Sequence, residues 1–323
     1  DGKIWTKPSS PLIAKSVVRY DGERADIFDE QCGMALCSAL YRDSTHRLLV
    51  GGAGLMHYDG AGFHQLLVDP ANILVYALDE DHRGQLLLGY HEGERNAIAI
   101  LKNPLHFARF ADGHCEHLFS LQNKSALYIS ALATARRSGF WFGITSFNQL
   151  STEGAGFGRW SEEEGTTLYT AADGLVSDYV LDLVEDAAGL LWIATTEGIS
   201  RFDGVSFVNF TTADGLPSNR VHCVYPDPSG QLLFGTEAGA VRYDGQLFQT
   251  IRDPQIDAVY DIDQDEEGRY WFATSTGAVR YTPSNIPPQV RIRQLLADKS
   301  YLPGDSIQFS TSTRQLVCEY QGM

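Results

Sequence analysis

From Val180 to Thr212 the chain reads VLDLVEDAAGLLWIATTEGISRFDGVSFVNFTT, four short apolar-rich runs separated by turn residues. The runs are Val180–Val184, Leu190–Thr195, Gly198–Phe202 and Ser206–Thr211. β-Branched, aromatic and aliphatic residues fill them, at lengths that suit strands rather than helices. Asp186 to Gly189 separates the first two runs and Asp203-Gly204 the last two. Asp-Gly favours a two-residue hairpin loop, whose central residues need positive φ. The stretch is predicted as a four-stranded antiparallel meander.

The pattern returns along the chain. Val180, Asp186, Gly189, Gly198, Arg201, Asp203, Gly204 and Phe207 recur 41 residues on as Val221, Asp227, Gly230, Gly239, Arg242, Asp244, Gly245 and Phe248. Further copies run through Val259, Asp265, Gly268 and Trp271, through Val75, Asp81, Gly84 and Leu87, and through Asp43, Leu49, Gly54 and Asp59. Phe140-Trp-Phe-Gly143 marks a copy whose later runs are blurred by an insertion around Ser151–Thr167. Gly2-Lys-Ile-Trp5 and Arg19-Tyr-Asp-Gly22 mark one that lacks its first run. The second-run anchor thus falls at Trp5, Leu49, Leu87, Trp141, Trp192, Leu233 and Trp271. Four-stranded units at a pitch of about 40 residues bury their faces against one another around an axis. The expected fold is all-β, a seven-bladed β-propeller of four-stranded antiparallel blades over residues 1–285, followed by a C-terminal β segment over 286–323. Gln315–Tyr320, joined to Asp1–Trp5, would recreate the order of the other blades, so ring closure by the C-terminus is one expectation for that segment.

Composition narrows the function. Lys and Arg number 25 against 41 Asp and Glu, a formal charge of −16. Nucleic acid and anionic membrane surfaces need basic patches, and no Lys/Arg run supplies one. No apolar stretch of about 18 residues is present, so no transmembrane helix and no direct membrane insertion are expected. The start at Asp1, without Met, suggests a processed or trimmed N-terminus and is compatible with export. Five Cys are scattered without CxxC pairs, and the repeated Asp lack the extra carboxylates of a calcium loop. Neither a metal nor a cofactor is expected. Cys37 and Cys223 fall in expected inner strands as small hydrophobes.

The pattern V-x-x-ϕ-x-x-D-x-x-G-x-ϕ-W-ϕ-A/G-T-x-x-G-ϕ-x-R-Y/F-D-G-x-x-F, followed by T-x-x-D-G-L-x-S, resembles the two-component-regulator propeller repeat. It is nearly complete in Ser177–Phe210 and Ser218–Phe248 and partial in Asp257–Tyr281. After the propeller, Ile286-Pro-Pro-Gln-Val-Arg-Ile-Arg resembles the start of the triple-tyrosine β-sandwich that follows such propellers, with Leu316–Gly322 as an early strand. On that reading closure by the C-terminus would not occur. The resemblance implies an extracytoplasmic sensor role, periplasmic or extracellular, in a two-component-type signalling protein.

A rigid propeller carries its binding residues on rim loops. Loops between second and third strands share one rim with the linkers between blades. Residues there that break the repeat are the candidates for ligand binding: His91, Tyr179, Glu197, Asn219, Arg220 and Glu237, with Glu92 beside His91. Arg220 suits a bidentate clamp on a carboxylate or uronate; the plainer alternative is that it pairs with the acidic rim. The expected partner is a small polar ligand or glycan, or a protein, with a homodimer left open. No GxSxG, HExxH or CxxC motif is present, and no enzyme activity is expected. Two alternatives stand beside the sensor. One is a lyase or hydrolase similar to the streptogramin lyases, with His91 and Glu92 as the acid/base pair, although the motif of those lyases is absent. The other is a structural propeller for protein contacts. His46, His57 and His222 replace ordinary repeat residues and read as packing.

Overall fold

The computed structural model describes residues 4–6, 16–20, 23–29, 37–67, 73–92, 103–122, 127–146, 155–253, 255–283, 290–296, 300–301 and 317–322. It forms two compact units, Asp1–Tyr281 and Thr282–Met323. An N-terminal sheet holds β1 (Ile4–Thr6), β2 (Val17–Tyr20) and β3 (Ala25–Phe28). Five four-stranded meanders follow. The first is β4 (Cys37–Arg42), β5 (Leu48–Gly52), β6 (Gly54–Tyr58) and β7 (Phe63–Leu67). The second is β8 (Leu74–Glu80), β9 (Leu86–His91), β10 (Leu105–Ala111) and β11 (His114–Leu121). The third is β12 (Leu127–Thr134), β13 (Phe140–Ser146), β14 (Gly156–Ser161) and β15 (Gly165–Tyr169). The fourth is β16 (Val180–Glu185), β17 (Leu191–Thr195), β18 (Ile199–Phe202) and β19 (Phe207–Phe210). The fifth is β20 (Val221–Pro226), β21 (Leu232–Thr236), β22 (Gly239–Tyr243) and β23 (Phe248–Thr250). A sixth blade contributes β24 (Val259–Gln264), β25 (Tyr270–Thr274) and β26 (Gly277–Tyr281). In the second unit β27 (Val290–Leu296) lies between β28 (Ser300–Tyr301) and β29 (Val317–Gly322), antiparallel to both.

The all-β propeller is present, but the expectation of seven four-stranded blades is corrected to six blades. Six innermost strands, β4, β8, β12, β16, β20 and β24, abut in chain order. The N-terminal sheet adds no innermost strand among the described residues. Trp5 anchors β1 as a second strand would, with nothing described on its inner side. Counting second-strand anchors therefore overcounts blades that begin with an inner strand. From Ala155 on, the stretch read as an insertion around Ser151–Thr167 holds β14, with Phe157 and Trp160 buried, and the start of β15.

Local chemistry explains the repeat. Asp186 Oδ1 accepts from the backbone N–H of Ala188 and Leu190, and its Oδ2 from Trp192 Nε1 at 2.8 Å. Asp265 Oδ1 accepts from Arg269 N–H and its Oδ2 from Trp271 Nε1 at 2.8 Å. The repeated arginine caps the indole: Arg201, Arg280, Arg159 and Arg19 lie 5.7–5.8 Å above Trp192, Trp271, Trp141 and Trp5, a cation–π contact of about 0.5–1 kcal/mol at partly exposed sites. The Asp203-Gly204 loop differs from expectation by one position. Asp203 N–H pairs with Ser206 O, so Gly204 (φ 97°) and Val205 are the central residues, and only the first needs positive φ.

Blade-to-blade packing forms the core. Cys37, Val180, Val221 and Val259 open their inner strands fully buried, and Val75 is so at the second position of β8, each such side chain contributing about 1.5–3 kcal/mol when valine. Val75, Val180 and Val259 press against glycines on the second strand of the preceding blade. A Cβ on Gly51 would come within 2.9 Å of Val75 Cγ1, one on Gly143 within 2.9 Å of Val180 Cγ1, and one on Gly235 within 2.7 Å of Val259 O. The A/G position of the repeat is thus a close approach between blades.

Candidate functional site at the channel mouth

The rim assembles as the strand order requires. Thr196 N–H donates to Tyr179 O (3.2 Å), Glu237 N–H to Arg220 O (3.0 Å) and Ser275 N–H to Ala258 O (3.1 Å), tying each hairpin loop to its blade's own linker. The inner strand begins immediately after that linker, so its first residues face the same rim.

Each inner strand carries a β-bulge there. Register slips past Ser38, Tyr76, Ser130, Leu181, His222 and Tyr260, one in each of the six blades. A bulge leaves its residue unpaired in the ladder and re-aims its side chain. All six bulged residues line one cavity of about 620 Å³, together with Tyr128 and the Thr274–Gly277 loop. Val18 reaches the same cavity from the N-terminal sheet. Rings supply much of the wall: Tyr76 lies 5.9 Å from Tyr128, and His222 4.8 Å from Tyr260. Ser130 Oγ is buried with no hydrogen-bond partner.

Charge is concentrated at one side. Glu237 Oε2 lies 2.8 Å from His222 Nε2 and 3.8 Å from Arg220 Nε. Burial holds His222 below the usual imidazole range, against the opposing pull of Glu237, so the ring is neutral near pH 7. Arg220 is near enough to Tyr128 to oppose the rise that burial imposes on its phenol, which stands at about 12. Between β16 and β20, Asp182 is pushed up to about 7, first by burial and then by Asp261, while its Oδ2 accepts from Val224 N–H at 2.9 Å. Burial and the same two carboxylates raise the Cys223 thiol. Among the described residues no group of three His, Cys, Asp or Glu side chains is placed to hold a metal ion.

The predicted site residues divide. Arg220 and Glu237 come together at the mouth, as the plainer reading of Arg220 has it. Tyr179, half-buried, and Glu197, exposed, sit on a neighbouring linker and loop of the same rim. Asn219 works as a turn residue: its Oδ1 accepts from Thr212 N–H at 2.7 Å, matching Asp178 and Ala171 N–H at 2.6 Å one blade earlier. His91 is fully buried in β9 with its ring edge-on to Tyr76 at 5.2 Å. Burial, then His106, lowers it to about 4, so it does not present the rim acid/base pair expected with Glu92. Glu92 is half-buried at the end of β9, its carbonyl accepting from Asn103 Nδ2 at 2.5 Å. Sequence reasoning missed His222, Tyr260, Tyr128 and Tyr76. For His222, Tyr260 and Tyr76 the signal is position: in five of the six inner runs the first residue is Cys or Val while the second varies as Ser38, Tyr76, Leu181, His222 and Tyr260, a pattern that Tyr128 does not share.

Among solved structures, the extracellular domain of a hybrid two-component system from B. thetaiotaomicron superposes with a TM-score of 0.68 at 17% identity, covering 99% of this chain and 42% of that one. The chain therefore spans less than half of that protein. A streptogramin B lyase gives 0.63 at 16% identity, covering 86% and 89%. A catalytically inactive virginiamycin B lyase from Staphylococcus aureus, with quinupristin, gives 0.60 at 17%, covering 86% and 90%. At these identities the likeness is one of fold. No curated protein matches the chain at a significant level. No helix among the described residues is long and apolar enough to cross a membrane. The two-component-regulator propeller family matches residues 174–197 and 215–238, which span β16–β17 and β20–β21 with the linkers before them, and in those two stretches this chain carries that family's repeat.

Proposed function

We propose that this chain is the sensing propeller of a two-component-type signalling protein, placed outside the cytoplasm, and that it binds a small polar ligand, glycans included, at the channel mouth. The observation that carries this reading is the ring of six bulged residues around one cavity of about 620 Å³, a size suited to a small ligand. Tyrosine and histidine faces with serine and threonine hydroxyls suit a ligand that is flat, hydroxylated or both. The repeat family and the likeness to an extracellular sensor domain support the signalling context. Ligand binding at the mouth would bias the propeller and whatever follows it in the chain.

A thermal-shift panel of glycans and metabolites tests this reading. A compound that binds the folded state raises the Tm by linkage, and Tyr260→Ala should abolish that rise while the ligand-free protein stays folded. A panel with no response, or a response that Tyr260→Ala leaves intact, would remove the mouth as the site.

One observation favours a second reading. The 2.8 Å contact between His222 and Glu237 at the cavity wall has the geometry of an oriented general base, and two of the fold neighbours are lyases. Turnover of any compound from the panel that His222→Ala removes without weakening its binding would establish catalysis.

A further inference from the structure

Among the described residues, Arg220 places a fixed cation at the channel mouth, in a chain whose formal charge is −16. Arg220 contributes its guanidinium from the linker before β20, with its side chain 37% exposed. Its contact with Glu237 is long, 3.8 Å through Nε, while the same carboxylate oxygen makes a 2.8 Å bond to His222 Nε2. Glu237 is itself 51% exposed, so it can turn into solvent at little cost. An incoming carboxylate would meet the guanidinium fork, which matches it bidentately, with Glu237 as a weakly held competitor.

Resting on the reading of the mouth as a ligand site, we infer that its ligand carries a carboxylate, which displaces Glu237 from Arg220, and that uptake is coupled to protonation of His222. The groups that face His222 are Glu237 from the β21–β22 loop, Arg220 from its own linker, Tyr260 against its ring, and Tyr128 and Asp261 on the wall of the same cavity. With His222 neutral, Arg220 and Glu237 cancel. With His222 protonated, the trio carries one net positive charge and draws an anion in.

The test uses the full chain and two probes of matched shape, sodium glucuronate and glucose, at constant ionic strength. Binding is followed by NMR of the His222 ring signal, assigned by its loss in His222→Gln. Glucuronate should bind more tightly than glucose and raise the His222 titration midpoint. Its affinity should fall about threefold from acid to alkaline sides of that midpoint, the size of one partly exposed charge contact. Arg220→Gln should remove the preference for glucuronate, and Glu237→Gln should tighten glucuronate binding at pH 7.5 by about the same factor. Equal binding of both probes, weaker glucuronate binding in Glu237→Gln, or an unmoved His222 midpoint would overturn the inference. Glucose or another neutral compound binding at the mouth in a Tyr260-dependent way would then leave the ligand-site reading standing. Silence of every probe and of the whole panel would end both.

Discussion

Asp182 is a carboxylate in a place that solvates charge poorly. Its one compensating cross-blade bond comes from Val224 N–H, and Asp261 stands near enough to repel it. Folding lifts its pKa from 3.8 to about 7, so the folded chain holds a proton that the unfolded chain has released between those values. Stability then falls as pH rises through that window, and the full cost is present above pH 7. Asp182→Asn keeps an oxygen for Val224 N–H and discards the charge. Its Tm should exceed that of wild type at pH 8, by about 2 kcal/mol of stability after allowance for the channel's water, and the gain should shrink toward pH 4. Melting curves at the two pH values check this, and an equal loss at both would show that the carboxylate is stabilising. At this scale much of the candidate site was illegible in the sequence. His91 and Asn219 break the repeat, as Arg220 does, but one is buried by the strand after it and the other caps a turn. Only the backbone register separates those cases from His222.

The blade was the most legible element. Asp186, Gly189, Trp192, Arg201 and Gly204 could be read as scaffold because turn, indole and cap chemistry recur at fixed spacing. Blade number was less legible, since Trp5 marks a second strand without telling whether an inner strand stands before it. The bulges were hidden for a different reason. A bulge breaks period two by one residue, and in a run as short as Val221–Pro226 that slip is indistinguishable from ordinary variation. The close approach between blades yields its own expectation. Gly235→Val places a Cβ 2.6 Å from Cys223 Sγ and 2.7 Å from Val259 O, and overpacking of this kind costs about 1–3 kcal/mol. Urea unfolding should show a lower midpoint with unchanged slope. Gly62→Ala, at a site with no neighbour within 4 Å, should stay within about 0.5 kcal/mol of wild type. If both variants were equally mild, the glycines of the second strands would not be packing glycines.

At the scale of the whole propeller, six inner strands converge on one axis and begin at one rim, so their bulged residues form a single surface drawn from all six blades. That arrangement lets a ligand at the mouth touch every blade at once, which no outer-strand site can do. Rigid blades around a shared ligand favour one arrangement of the ring over others, the property a signalling propeller needs. Hydrogen–deuterium exchange, with and without the strongest stabilising compound from the thermal-shift panel, tests this most directly. Protection should concentrate at the starts of the inner strands and the facing loops, residues 37–39, 75–77, 128–131, 180–182, 219–223, 257–261 and 274–277. Protection confined to the outer strands β19 and β23, with the inner strands unchanged, would contradict a ligand site at the channel mouth.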